Sequence, residues 1–262
     1  MALIYLPDIR LNADIAGPEK GPAVVLVHAL GTNLTIWDAV VRLLPARLRI
    51  LRYDQRGHGA SDVPAPPYAM GALIRDCEAL IDHFALTEVV LVGVSLGGMV
   101  AQGLAVKRLD QVRGLVLSNT AARIGTAEMW QTRIAEVQSQ GLAAYAPAAM
   151  ARILGPGFAT NPAYAGLHQM LIRTDPRGWS GCAAAIAGTD FYATTATLRL
   201  PSLVIAGAND GSTPPDLVRE TADLIPGRQY RLMRGAGHLP MMEKPAEYAA
   251  LLTGFLQGIG HL

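Results

Sequence analysis

The chain has 262 residues, 51% of them hydrophobic, and 22 Lys+Arg stand against 21 Asp+Glu. It can bury a large core as one domain, and it has no charge excess to recruit nucleic acid or an acidic surface. Two cysteines, Cys77 and Cys182, form no disulfide or metal pattern, and the start M-A-L-I-Y-L-P-D-I-R lacks a basic n-region and a cleavable apolar core, so a reducing, cytoplasmic location is expected.

In chain order, short strands are predicted at 3–6 and 9–15, the second alternating as at a sheet edge. Turn chemistry in G-P-E-K-G-P (17–22) leads to a continuous apolar strand at 23–28. A-L-G-T-N and a helix at 36–44 follow, then a strand at 48–53 ending in D-Q-R-G-H-G-A-S-D (54–62). A Pro-rich loop at 64–67 precedes a helix at 70–84. The stretch E-V-V-L-V-G-V-S-L-G-G-M-V-A-Q-G-L-A-V (88–106) reads as a β-branched strand at 89–94, a turn at Ser95 and a helix at 96–106. Its glycines, Ser95 and Gln102, and the close bracketing by Glu88 and Lys107, argue against a membrane span. Another buried strand is predicted at 112–117.

The alternation then stops. From 121 to 200 no apolar strand run appears, and helix starts multiply: Thr126 with Glu128, Asn161-Pro162, Asp175-Pro176, and a helix at 142–154 framed by Gly141 and Pro156 with a kink at Pro147. A connection of that length is not a bare loop. Alternation returns with a strand at 202–206, a helix at 215–224, a strand at 229–233 and a helix at 245–257. The expected fold is α/β: a mainly parallel eight-stranded sheet flanked by helices, built from 1–120 and 201–262, with an all-helical cap at 121–200 above Ser95.

Ser95 lies in G-x-S-x-G, a strand-to-helix turn so sharp that a Cβ at Gly93 or Gly97 would clash. The turn exposes the hydroxyl and leaves the Leu96 amide free to bind an oxyanion; a second amide is expected from Leu30, in the loop after the 23–28 strand. A serine hydroxyl needs a base. Of six histidines, His83 and His168 fit surface or packing roles, His58 a structural loop and His28 an orienting role, while His261 sits in a tail where disorder is the default. His238, glycine-flanked between the last strand and last helix, is the expected base. Asp210, after the 202–206 strand, is the expected acid that orients it. The end of the 112–117 strand offers only Ser118-Asn119-Thr120, and a neutral amide cannot supply the charge. Asp54 and Asp62 fit turn formation. A serine nucleophile suits acyl transfer from an ester, lactone, thioester or activated amide.

Over its full length the chain resembles the α/β-hydrolase superfamily, and more closely the 3-oxoadipate enol-lactonases of bacterial aromatic-acid degradation. The likeness rests on V-L-V-H-A-L-G-T-N-L-T-I-W-D, L-R-Y-D-Q-R-G-H-G-A-S, L-V-G-V-S-L-G-G-M-V and P-S-L-V-I-A-G-A-N-D-G-S-T-P-P. More particular to the family are L-V-L-S-N-T-A-A-R-I-G-T, followed by Trp130, and C-A-A-A-I-A-G-T-D-F at Cys182. Ala29 departs from the glycine common at its place. The resemblance implies a triad of Ser95, Asp210 and His238, oxyanion amides at Leu30 and Leu96, and no metal or organic cofactor. The implied substrate is a small lactone bearing a carboxylate, with Trp130 and Arg133 as substrate-binding residues and Arg152 and Arg173 as the next cations in line. A general carboxylesterase or lactonase, a cofactor-free perhydrolase, and a ligand receptor on the same fold are the rival readings.

Overall fold

The computed structural model describes residues 1–262. Its strands are β1 (Ala2–Tyr5), β2 (Arg10–Ala16), β3 (Ala23–Val27), β4 (Arg49–Tyr53), β5 (Val89–Val94), β6 (Val112–Ser118), β7 (Ser202–Gly207) and β8 (Gln229–Met233). They form one sheet in the order β1-β2-β4-β3-β5-β6-β7-β8. The β1–β2 and β2–β4 pairs are antiparallel and all others parallel. Every residue of β3, β5 and β7 is buried, because helices cover both faces. That is why these strands are unbroken apolar runs, whereas the edge strands β1 and β8 are largely exposed.

The helices are α1 (Asp38–Val41), α2 (Met70–His83), α3 (Leu96–Lys107), α4 (Ala127–Ile153), α5 (Ala163–Arg173), α6 (Pro176–Ala187), α7 (Tyr192–Thr195), α8 (Pro215–Asp223), α9 (Pro240–Glu243) and α10 (Pro245–Gly258). Only helices lie between β6 and β7. Thr126 and Asp175 cap α4 and α6 with side-chain oxygens, as their sequence positions predict. The helix predicted at 142–154 is the second arm of α4, which breaks at Gly141 (φ 80°, ψ 166°) and contains Pro147.

Two expectations differ from the structure. The helix at 36–44 is a 3₁₀ turn, Leu34–Trp37, followed by the single turn of α1. Asn33 accepts a hydrogen bond from the Thr35 amide and starts the turn early, while Pro45 forecloses extension. The C-terminal tail is anchored: His261 is buried, with Nε2 3.0 Å from the Ala23 carbonyl oxygen.

Candidate active site

Ser95 joins β5 to α3 with φ 55° and ψ −119°, a conformation that costs a serine about 1–3 kcal/mol. The crowding around it leaves little alternative. A Cβ on Gly93 would lie 2.2 Å from the Gly97 oxygen, and one on Gly97 would lie 2.2 Å from the Val27 oxygen. The Ser95 amide donates to Ser118 O at 3.0 Å, and its carbonyl accepts from the Gly98 and Met99 amides. Leu96 is the first residue of α3, so its amide has no acceptor within the helix.

Asp210 is buried in the turn after β7 and is ringed by donors. Its Oδ1 accepts from the amides of Ser212 (2.7 Å) and Thr213 (3.2 Å). Its Oδ2 accepts from Thr213 Oγ1 (2.7 Å), Asn119 Nδ2 (2.8 Å) and His238 Nδ1 (2.7 Å). Burial alone would raise the carboxyl's pKa, but the His238 charge and the hydrogen bonds from His238, Thr213 and Asn119 outweigh it and hold it below the ordinary value. An ionised carboxylate only accepts, so the hydrogen bond between them is donated by His238 Nδ1–H, and in the neutral imidazole Nε2 is then the acceptor. The His238 backbone is fixed as well. Its amide donates to Ile153 O at the end of α4, and Glu243 accepts from the amides of Gly155, Gly237 and Leu239.

Ser95 and His238 line one narrow cavity of about 60 Å³, with Leu30 on one side and Trp130, Arg133 and Arg152 among the residues from the helical segment. No hydrogen bond joins Ser95 to His238 in this structure; such contacts often tighten only when substrate is bound. A wider cleft of about 450 Å³ holds Asn33, Asp54 and Arg173 but neither Ser95 nor His238. Arg173 therefore lies away from the site, and the expectation that it stands in reserve for a substrate carboxylate is corrected.

The loop carrying Leu30 is held by the D-Q-R-G-H segment. His58 Nε2 accepts from the Gly31 amide at 2.9 Å, and His28 Nε2 accepts from the Gln55 amide at 2.8 Å. Asp54 Oδ1 accepts from the Leu34 amide, and Gln55 donates to His28 O. Burial drives both imidazoles to stay neutral, lowering His28 to about 4 and His58 to about 3.

On the helical side, Trp130 Nε1 donates to Ile124 O at 2.6 Å, so its indole presents only a ring. The Arg133 guanidinium lies 5.0 Å from the Trp130 ring centroid, and Arg152 Nη2 donates to Tyr145 Oη at 3.0 Å. Arg152 Nε is buried without a partner, and no acidic side chain lines the cavity. Burial, and then the neighbouring Arg152 charge, lower the pKa of Arg133. Two cations thus face a cavity with no protein anion. The roles of Asn119, Thr213, Glu243 and Tyr145 escaped the sequence reading. Only the position of Asn119 at a strand end pointed toward the site.

Comparison with known proteins agrees with this architecture. The family model described as alpha/beta hydrolase fold matches residues 22–245. The chain is 35% identical over 208 residues to 3-oxoadipate enol-lactonase 2 of Acinetobacter baylyi, covering 79% of this chain and 78% of that protein. The crystal structure of the enol-lactonase from Burkholderia xenovorans LB400 superposes with a TM-score of 0.94 at 30% identity, covering 98% of this chain and 100% of that one. A thermophilic esterase from Thermogutta terrifontis, solved with malate bound, is similar with a TM-score of 0.90 at 30% identity over 98% of this chain and 97% of that one. By the matched model and by its sheet order, the chain belongs to the alpha/beta hydrolase fold family.

Proposed function

We propose that the protein is an ester and lactone hydrolase whose substrate is 3-oxoadipate enol-lactone, opened through an acyl-enzyme as a step of bacterial aromatic-acid degradation. The observation that carries this reading is the cavity itself: a strained serine and an Asp210-bound imidazole on one wall, two arginines without acids among the others. In this reading residues 121–200 are a cap over a core of 1–120 and 201–262.

Ser95 Oγ attacks the lactone carbonyl while His238 Nε2 takes its proton, and Asp210 stabilises the imidazolium that forms. The Leu30 and Leu96 amides hold the oxyanion. Collapse of the tetrahedral intermediate breaks the ring C–O bond, and His238 returns the proton to the departing enol oxygen. That enol stays tethered to the acyl group, and its tautomerisation to a ketone removes the nucleophile that could re-close the ring. Water, deprotonated by His238, then attacks the acyl-enzyme and releases 3-oxoadipate and free Ser95. Arg133 and Arg152 pair with the substrate carboxylate, and Trp130 presents an apolar wall to the ring.

The test compares kcat/KM for the enol-lactone with those for simple esters and saturated lactones. A strong preference for the enol-lactone is expected, and equal values would favour a general esterase. The likeness to a solved esterase keeps that second reading specific. Tight binding without turnover would instead identify a receptor.

A further inference from the structure

Asn119, at the C-terminal end of β6, is fully buried and has φ 45°, the left-handed region that asparagine tolerates better than most other side chains. Its amide nitrogen Nδ2 spends both protons on the candidate site: one goes to Asp210 Oδ2 at 2.8 Å, the other to Gly237 O at 3.2 Å. Gly237 immediately precedes His238. The Asn119 backbone amide donates to Ile205 O in β7 at 2.9 Å. The residues on either side complete the pattern, since Ser118 O accepts from the Ser95 amide at 3.0 Å and Thr120 Oγ1 donates to Ser95 O at 2.7 Å. One tripeptide therefore ties together the loops bearing the serine, the acid and the base.

We propose that Asn119 is a positioning residue, whose carboxamide locks the Asp210 carboxylate to the His238 loop and so fixes the direction in which the imidazole faces Ser95. The inference rests on the reading of Ser95, Asp210 and His238 as the reacting set. A neutral donor is the right group at this place. It neutralises nothing, so Asp210 keeps its full charge for the imidazolium, yet it stops the carboxylate from rotating away from Nδ1. Without it, Asp210 Oδ2 and Gly237 O, both in buried residues, each lose a partner. A carboxyl in its place would behave differently with pH. Two carboxyls this close share one proton, and the shared proton donates to Asp210 Oδ2 as the carboxamide does. Once the pair gives that proton up, two adjacent anions repel and the arrangement opens.

The test uses the full-length Asn119→Leu and Asn119→Asp variants with a p-nitrophenyl ester and the enol-lactone, across pH. For Asn119→Leu, a misplaced imidazole should lower kcat about 10- to 100-fold while KM moves by less than about threefold. For Asn119→Asp, whose one shared proton serves Asp210 Oδ2 but leaves Gly237 O without its donor, activity should come closest to wild type at the acidic end and fall along a new alkaline limb that wild type lacks. Wild-type kcat in Asn119→Leu, or a loss confined to KM, would overturn the proposal. So would an Asn119→Asp profile parallel to wild type, since a merely structural role lowers activity equally at every pH. If Asn119→Leu does not fold, the nearly isosteric Asn119→Asp decides alone. Ser95→Ala is measured alongside: turnover surviving there would sink the active-site reading itself, whereas inactive Ser95→Ala beside an unaffected Asn119→Leu would sink only this inference.

Discussion

Arg133 and Arg152 face a cavity lined by no carboxylate of the protein, and in the proposed reading the anion that pairs with them there arrives with the substrate. Arg152 is the more constrained of the two, tethered to Tyr145 and left with a buried Nε that nothing accepts from. Replacing it by methionine keeps the apolar stem and removes the charge. Arg152→Met is expected to raise KM for the carboxylate-bearing lactone by about 10- to 100-fold, the worth of one charge-assisted hydrogen bond, with little change for a neutral ester. Equal losses on both substrates would contradict carboxylate recognition. At this scale the placement of Ser95, Asp210 and His238 at the ends of strands was legible in the sequence because each sits in a local pattern with a backbone reason: glycines around Ser95 and His238, a strand end at Asp210. Asn119 was not legible. Its side-chain partner lies 91 positions away, and an asparagine at a strand end looks like any turn residue until the sheet brings β6 and β7 side by side.

The elements that hold the Leu30 loop carry a consequence for acid stability. His28 and His58 stay neutral when folded, with values near 4 and 3, against an ordinary 6.5 in the unfolded chain. As pH falls below 6.5 the unfolded chain takes up protons that the folded chain refuses, so stability is lost by about 1.4 kcal/mol per pH unit for each histidine. Urea unfolding should show a fall of roughly 4 kcal/mol between pH 7 and pH 5 from this pair, levelling only as pH nears the folded values. No change across that interval would mean the imidazoles are not buried neutral. At the elbow, Gly97→Ala would force a methyl against the Val27 carbonyl. It should cost about 1–3 kcal/mol and most of the activity, read by thermal unfolding and turnover together. Strong capping and apolar-period signals gave most element positions to within a residue or two. The helix expected at 36–44 failed because apolar spacing over so few residues does not separate a 3₁₀ turn from an α-helix, and the Asn33 side chain tips the balance.

For the whole molecule, the parallel sheet was readable because strands buried on both faces have to be apolar throughout, and the missing strand signal between β6 and β7 marked the helical segment just as plainly. The strand order was not readable, since nothing local says that β3 lies between β4 and β5. Yet that order is what gathers the ends of β3, β5, β6, β7 and β8 on one side, where the Leu30 loop, Ser95, Asn119, Asp210 and His238 lie. The chemistry proposed for that gathering depends on a hydroxyl made nucleophilic by an imidazole distant in the chain. Labelling with an activated phosphonate ester, located by peptide mass spectrometry, tests this most directly. The account predicts one adduct on Ser95 in the native protein and loss of labelling in His238→Ala. An adduct on another residue, or undiminished Ser95 labelling without His238, would contradict it.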